Sequence, residues 1–167
     1  MFTNRSFQCV LIISALAAVA AAIFLQHYFQ LLPCPLCIFQ RIAYILVAVG
    51  ALIACLGYNC VYARLTGWIF GLLFALAGFG MALRQVWLQH LPPGSITTCV
   101  PGLNYLYGTF SWFKATMLVF QGTSDCAQVT WRLLGLSMAA WSAICFGLFI
   151  IIFILSLMGN RKEKDLT

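Results

Sequence analysis

Four stretches of this chain carry almost no charge for about the length a helix needs to cross a bilayer, and they narrow the possible folds more than anything else in it. They run over 7–26, 38–56, 66–84 and 133–158. About 20 apolar residues, at about 1.5 Å rise each, match a hydrocarbon core of about 30 Å. In lipid every backbone amide must be satisfied within the protein, so uncharged runs of this length predict helices and exclude open sheet edges. The composition agrees. With 63% hydrophobic and 7% charged residues, and a mean hydropathy of +1.00, the chain lacks the polar surface that a water-soluble domain needs. The expectation is an all-α membrane protein: one domain over 1–167, a four-helix transmembrane bundle, with a long outer loop between helices 3 and 4 at about 86–131.

The first run has a second reading as a signal peptide, with Arg5 as its basic start and Ala20-Ala21-Ala22 as a small-residue cleavage site. It continues as Ile23-Phe24-Leu25 beyond the alanines, so we read it as a retained helix. The net charge of +6 is spread singly along the chain except for Arg161, Lys162 and Lys164, which speaks for membrane topology and against a nucleic-acid surface. Four crossings put both termini on one side. Assigning that side to the cytoplasm places Arg5, Arg64, Arg161, Lys162 and Lys164 inside, with Arg41, Arg84, Lys114 and Arg132 outside. Gly67, Gly71, Gly78 and Gly80 in the third run predict close helix approach. The outer loop has turn signals at Pro92-Pro93-Gly94 and Pro101-Gly102. Its aromatics Tyr105, Tyr107, Phe110, Trp112, Phe113 and Phe120 predict a segment seated in the bilayer interface.

The eight cysteines divide by position. Cys9, Cys55, Cys60 and Cys145 lie within or at the ends of apolar runs and read as small buried hydrophobes. Cys34, Cys37, Cys99 and Cys126 lie in or beside polar connections, all on the outer face, where disulfides persist. In Pro33-Cys34-Pro35-Leu36-Cys37-Ile38-Phe39-Gln40-Arg41, Cys34 suits the N-cap and Pro35 the first helical position, where its missing N–H costs nothing. At about 100° per residue, Cys37 falls roughly 60° from Cys34 and Arg41 roughly 20° from it, so the three share one face. Free amide N–H groups, the helix dipole and the guanidinium all favour a thiolate there. The Cys-x-x-Cys spacing also serves zinc sites and plain disulfides. His27 and His90 supply no second ligand pair, and no His follows Cys37 as c-type haem attachment needs. We read the pair as redox-active. Cys99 and Cys126, 27 positions apart, fit either a structural crosslink worth about 3–4 kcal/mol or an exposed disulfide open to attack by another protein's thiolate.

Cys34-Pro35-Leu36-Cys37-Ile38-Phe39-Gln40-Arg41, the outer-loop Cys99, and Ser124-Asp125-Cys126-Ala127 followed by Trp131 and Leu134-Gly135-Leu136 resemble the DsbB family of disulfide bond formation proteins over essentially the whole chain. The resemblance implies an enzyme of the bacterial cytoplasmic membrane, multi-pass, with its active cysteines on the periplasmic face. Such an enzyme reoxidises a periplasmic DsbA-like thiol oxidase and passes two electrons to a quinone, ubiquinone or menaquinone. By the same resemblance Cys99 and Cys126 meet the partner, Cys34 and Cys37 meet the quinone, and Arg41 sits by the quinone ring. Gln40 stands where some members have glutamate. Gln85 stands as the counterpart of a histidine near the end of the third span, with His90 about a turn later, and is assigned to the quinone with Arg41. An amide can hydrogen-bond a carbonyl but does not titrate near neutral pH. Two other readings are a structural membrane protein whose outer loop is clipped by disulfides, and an enzyme like vitamin K epoxide reductase.

Overall fold

The computed structural model describes residues 5–30, 34–91, 108, 111, 113–114, 117, 132–133 and 135–164. Four helices dominate: α1 (Arg5–Tyr28), α2 (Pro35–Leu56), α3 (Val61–Gln89) and α4 (Met138–Lys164). Each is long and apolar enough to cross a membrane, so the chain is a multi-pass membrane protein of the expected all-α, four-helix class. Short connections make sequence neighbours antiparallel. α2 packs against α1 on one side and α3 on the other, and α3 packs against α4.

The helix ends differ from the apolar runs. α1 continues through Gln26 to Tyr28, and Gln30 ends it in the left-handed region at φ 51° while its Nε2 donates to the His27 carbonyl at 2.8 Å. α3 begins at Val61 and runs to Gln89, so Arg64 lies in its first turn, buried, and Gln85 near its last. Polar side chains are tolerated at helix ends, where they reach the interface or a neighbouring helix. The fourth helix starts at Met138, not 133. Before it, β1 (Arg132–Leu133) and β2 (Leu136–Ser137) form a two-residue antiparallel hairpin, turned by Gly135 at φ 81°, a conformation that glycine enters freely. Most of the expected outer loop lies outside the described residues; Phe113 and Met117 are helical and exposed.

Small residues set the spacing at the centre of the bundle. A Cβ on Gly67 would lie 2.5 Å from the Ala54 nitrogen and 2.7 Å from the Gly50 oxygen, and one on Gly50 would lie 2.7 Å from Gly71 Cα. The α2 and α3 backbones therefore touch. Gly71 and Gly78 admit the ring edges of Phe153 and Phe146 from α4, whereas Gly80 faces open space and takes no part in packing. Around this seam Ala43, Val47, Ala51, Ala54, Trp68, Ala75 and Ala82 form the core with Phe146, Phe149 and Phe153. The outer surface is as apolar as the inside, with Val10, Ile13, Phe24, Leu73, Leu148 and Ile151 exposed, as a lipid solvent requires.

Cys9 and Cys60 are exposed and Cys55 and Cys145 half-buried, so the expectation that these four cysteines are buried inside the protein is corrected. On a helix wetted by lipid, an apolar side chain needs no protein cover. At the end of the bundle away from Cys34, Gln8 and Ser156 are fully buried, and among the described residues their side-chain polar atoms find no hydrogen-bond partner. At the other end, the finish of α1, the start of α2, the finish of α3 and the start of α4 come together.

Candidate functional site

Cys34 has extended backbone angles (φ −69°, ψ 152°) and caps α2, with Pro35 at the first helical position. Its Sγ accepts the Cys37 amide N–H at 3.4 Å, and its carbonyl accepts the N–H groups of Cys37 at 3.0 Å and Ile38 at 3.3 Å. A sulfur thus stands where Ser or Asp usually caps a helix, at the positive end of the dipole. One turn of helix brings Cys37 back over Cys34. Their sulfurs are 2.8 Å apart, not joined in a disulfide, and a small side-chain rotation separates that from the roughly 2.05 Å of an S–S bond. Cys34 is buried and Cys37 half-buried.

The α3 terminus completes the site. Gln85, buried, reaches across from α3, and its Nε2 donates to Cys34 Sγ at 3.4 Å and Cys37 Sγ at 3.2 Å. Its Oε1 accepts from Gln40 Nε2 at 2.8 Å and lies 3.7 Å from Cys37 Sγ. Gln40, also buried, is one turn along α2 from Cys37. The structure brings Cys34, Cys37, Gln40 and Gln85 into one hydrogen-bonded cluster joining two helices. Gln85, assigned from the resemblance to the quinone, touches both sulfurs.

Arg41 turns toward α1. Its Nη1 donates to Gln26 Oε1 at 2.6 Å, and among the described residues it makes no hydrogen bond to either sulfur. The partner is a neutral amide. The three acidic residues, Asp125, Glu163 and Asp165, all lie outside the four spans, and among the described residues no carboxylate is paired with this guanidinium. Gln26 was not apparent as part of the site from the sequence, where it reads only as the last residue of the first apolar run; an amide closing that run just before the cysteine motif was the available signal. Farther in, the Tyr44 hydroxyl donates to the Ser142 carbonyl at 3.3 Å and its ring stacks on Phe146 at 4.1 Å, fastening α4 to α2 below the site. Arg84 lies over the Trp87 ring at 4.6 Å, and exposed His90 caps α3 with Nδ1 2.8 Å from the Val86 carbonyl oxygen. Cys99 and Cys126, together with Ser124, Asp125, Ala127, Trp131 and Leu134, lie outside the described residues.

Two adjacent sulfurs at a helix N-terminus, with amide donors on one side and a guanidinium on the next turn, can cycle between dithiol and disulfide. The surroundings favour the anionic sulfur that such exchange needs.

Comparison with known proteins places the chain in a family. A family model described as Disulfide bond formation protein DsbB matches residues 4–156. Disulfide bond formation protein B of Azoarcus sp. (strain BH72) is 42% identical over 146 residues, covering 87% of each chain. Proteins of the same name from Acinetobacter baylyi and Psychrobacter sp. (strain PRwf-1) are 36% identical over 155 residues (89% of this chain, 88% of that one) and 37% identical over 159 residues (94% and 93%), respectively.

Proposed function

The chain belongs to the DsbB family of disulfide bond formation proteins, an oxidoreductase-type family, and from that premise we propose that it reoxidises a periplasmic DsbA-like dithiol oxidase and passes the electrons to membrane quinone. The observation that carries this reading is the Cys34–Cys37 pair, 2.8 Å apart at the membrane-edge start of α2 with Gln85 against both sulfurs and Arg41 on the next turn. In this scheme both termini are cytoplasmic and the sulfurs face the periplasm. A partner thiolate attacks the disulfide between Cys99 and Cys126, and the released loop thiolate attacks the Cys34–Cys37 disulfide. The partner's second thiolate then closes the partner's own disulfide, and the loop sulfur it frees re-forms the Cys99–Cys126 bond, releasing the second sulfur of the Cys34–Cys37 pair. Each exchange forms one S–S bond as another breaks, so two electrons move from the partner's sulfurs to Cys34 and Cys37.

A quinone bound beside the pair supplies the acceptor for those two electrons and two protons. The residues present suit it. Of the five N–H donors of Arg41, one is engaged by Gln26, which leaves others for a carbonyl oxygen, and Ile42 and Ile45, exposed on α2 next to Arg41, offer apolar surface that suits an isoprenoid tail. Arg41 orients the ring and holds negative charge, while the helix start and Gln85 steady the sulfur anion. The test is quinone-coupled oxidation of a reduced thioredoxin-like dithiol by purified protein. Cys34→Ser and Cys37→Ser are each expected to abolish turnover, and activity retained in either variant would exclude the relay.

A further inference from the structure

We propose that Gln85 is a catalytic residue of the thiol chemistry, its amide nitrogen holding negative charge on Cys34 and Cys37, and that Gln40 is the positioning residue that turns that nitrogen toward them. The proposal deepens the relay described above and rests on it for the identity of the reaction. Its basis is the polarity of the amide. Gln40 Nε2 donates to Gln85 Oε1 at 2.8 Å and the Cys37 thiol reaches that oxygen only at 3.7 Å, whereas the nitrogen end, with its two hydrogens, is nearer both sulfurs, at 3.2 Å from Cys37 and 3.4 Å from Cys34. Gln40 and Gln85 are each 4% exposed, so water does not compete for these bonds. A hydrogen bond to an ionised group in such surroundings is about twice as strong as one between neutral partners.

The step it serves is exchange. As an incoming thiolate forms an S–S bond to one sulfur of the pair, the bond between Cys34 and Cys37 breaks and its electron pair stays on the departing sulfur. No proton is transferred in that step. Whichever sulfur departs, Gln85 Nε2 is already beside it. Among the described residues, the ionisable groups around the cluster are the two thiols, Arg41 on α2, bound to Gln26, and Arg84 on α3, stacked on Trp87; His27 and His90 are exposed. With no carboxylate on the spans, two neutral amides supply side-chain anion stabilisation that does not itself titrate.

The test needs neither quinone nor partner. Full-length reduced protein in detergent is alkylated with iodoacetamide across neutral pH, and the rate at Cys34 is read by peptide mass spectrometry, with exposed Cys60 as internal reference. Gln85→Leu is expected to slow Cys34 alkylation at neutral pH about ten-fold and to move its titration midpoint alkaline by about one pH unit, or about 1.4 kcal/mol, while Cys60 is unchanged. Gln40→Glu is expected to act in the same direction, because a carboxylate only accepts and would draw Gln85 Nε2 away from the sulfurs. Should Gln85→Leu fail to fold by circular dichroism, the near-isosteric Gln85→Glu carries the test with the same sign. An unchanged Cys34 midpoint in a folded Gln85 variant overturns the proposal. Absence of quinone turnover in the unaltered protein instead sinks the relay and leaves this result standing.

Discussion

At the scale of single residues, Arg41 is the instructive case. The helical phase of the cysteine motif predicts a guanidinium on the same face as the thiols, and the structure has it hydrogen-bonded to a neutral amide, Gln26 on α1, and not to either sulfur. Its expected task is therefore on the acceptor side. Arg41→Ala should raise the apparent KM for quinone about ten-fold, in line with loss of one charge-assisted hydrogen bond of about 1.5–3 kcal/mol, and leave thiol exchange with the partner nearly intact. Steady-state kinetics with each substrate varied in turn checks this; an unchanged quinone KM would count against it. Cys34, Cys37, Gln40 and Arg41 were legible in the sequence because they share one helix, where spacing alone decides phase. The contacts of Gln26 and Gln85 were not, since each comes from another helix, and which amide meets which group depends on how the helices dock.

Elements were legible in number and order. The uncharged runs gave four helices, but their ends followed hydropathy and missed the polar final turns of α1 and α3, whose amides find partners within the bundle. The hairpin at 132–137 was missed because two-residue strands leave no periodicity to read. The glycines divide into those that matter and one that does not. Gly67→Ala places a methyl against the α2 backbone, which cannot yield without separating the helices, and a thermal unfolding midpoint lowered by several degrees is expected. Gly80→Ala meets nothing and should be neutral or slightly stabilising, since alanine is the better helix former by about 1 kcal/mol. Equal effects at the two positions would contradict this account of the α2–α3 seam. Gly50, the facing partner on α2, stood out less in the sequence than the glycine-rich third run.

For the whole molecule, the architecture predicts a sidedness that labelling can check. Cys60, between α2 and α3, and Ser111, between α3 and α4, are both exposed and belong to opposite ends of the bundle. A membrane-impermeant maleimide added to cells with a permeabilised outer membrane is expected to label Ser111→Cys at once and Cys60 only after the inner membrane is broken, with the site of labelling read by mass spectrometry. The reverse order would put Cys34 and Cys37 in the cytoplasm and end the proposed exchange with a periplasmic partner. The touching backbones of Gly50, Gly67 and Gly71 also reach beyond stability. They lie about 20 Å along the helix axis from Cys37, at about 1.5 Å per residue. With that seam as a fulcrum, a tilt of about 5° between the two rods would swing their tips apart by about 2 Å over that arm, enough to carry an amide out of hydrogen-bonding reach of sulfur. A methyl group added deep in the bilayer would then be felt as altered electron transfer at its edge, with no atom near the cysteines changed.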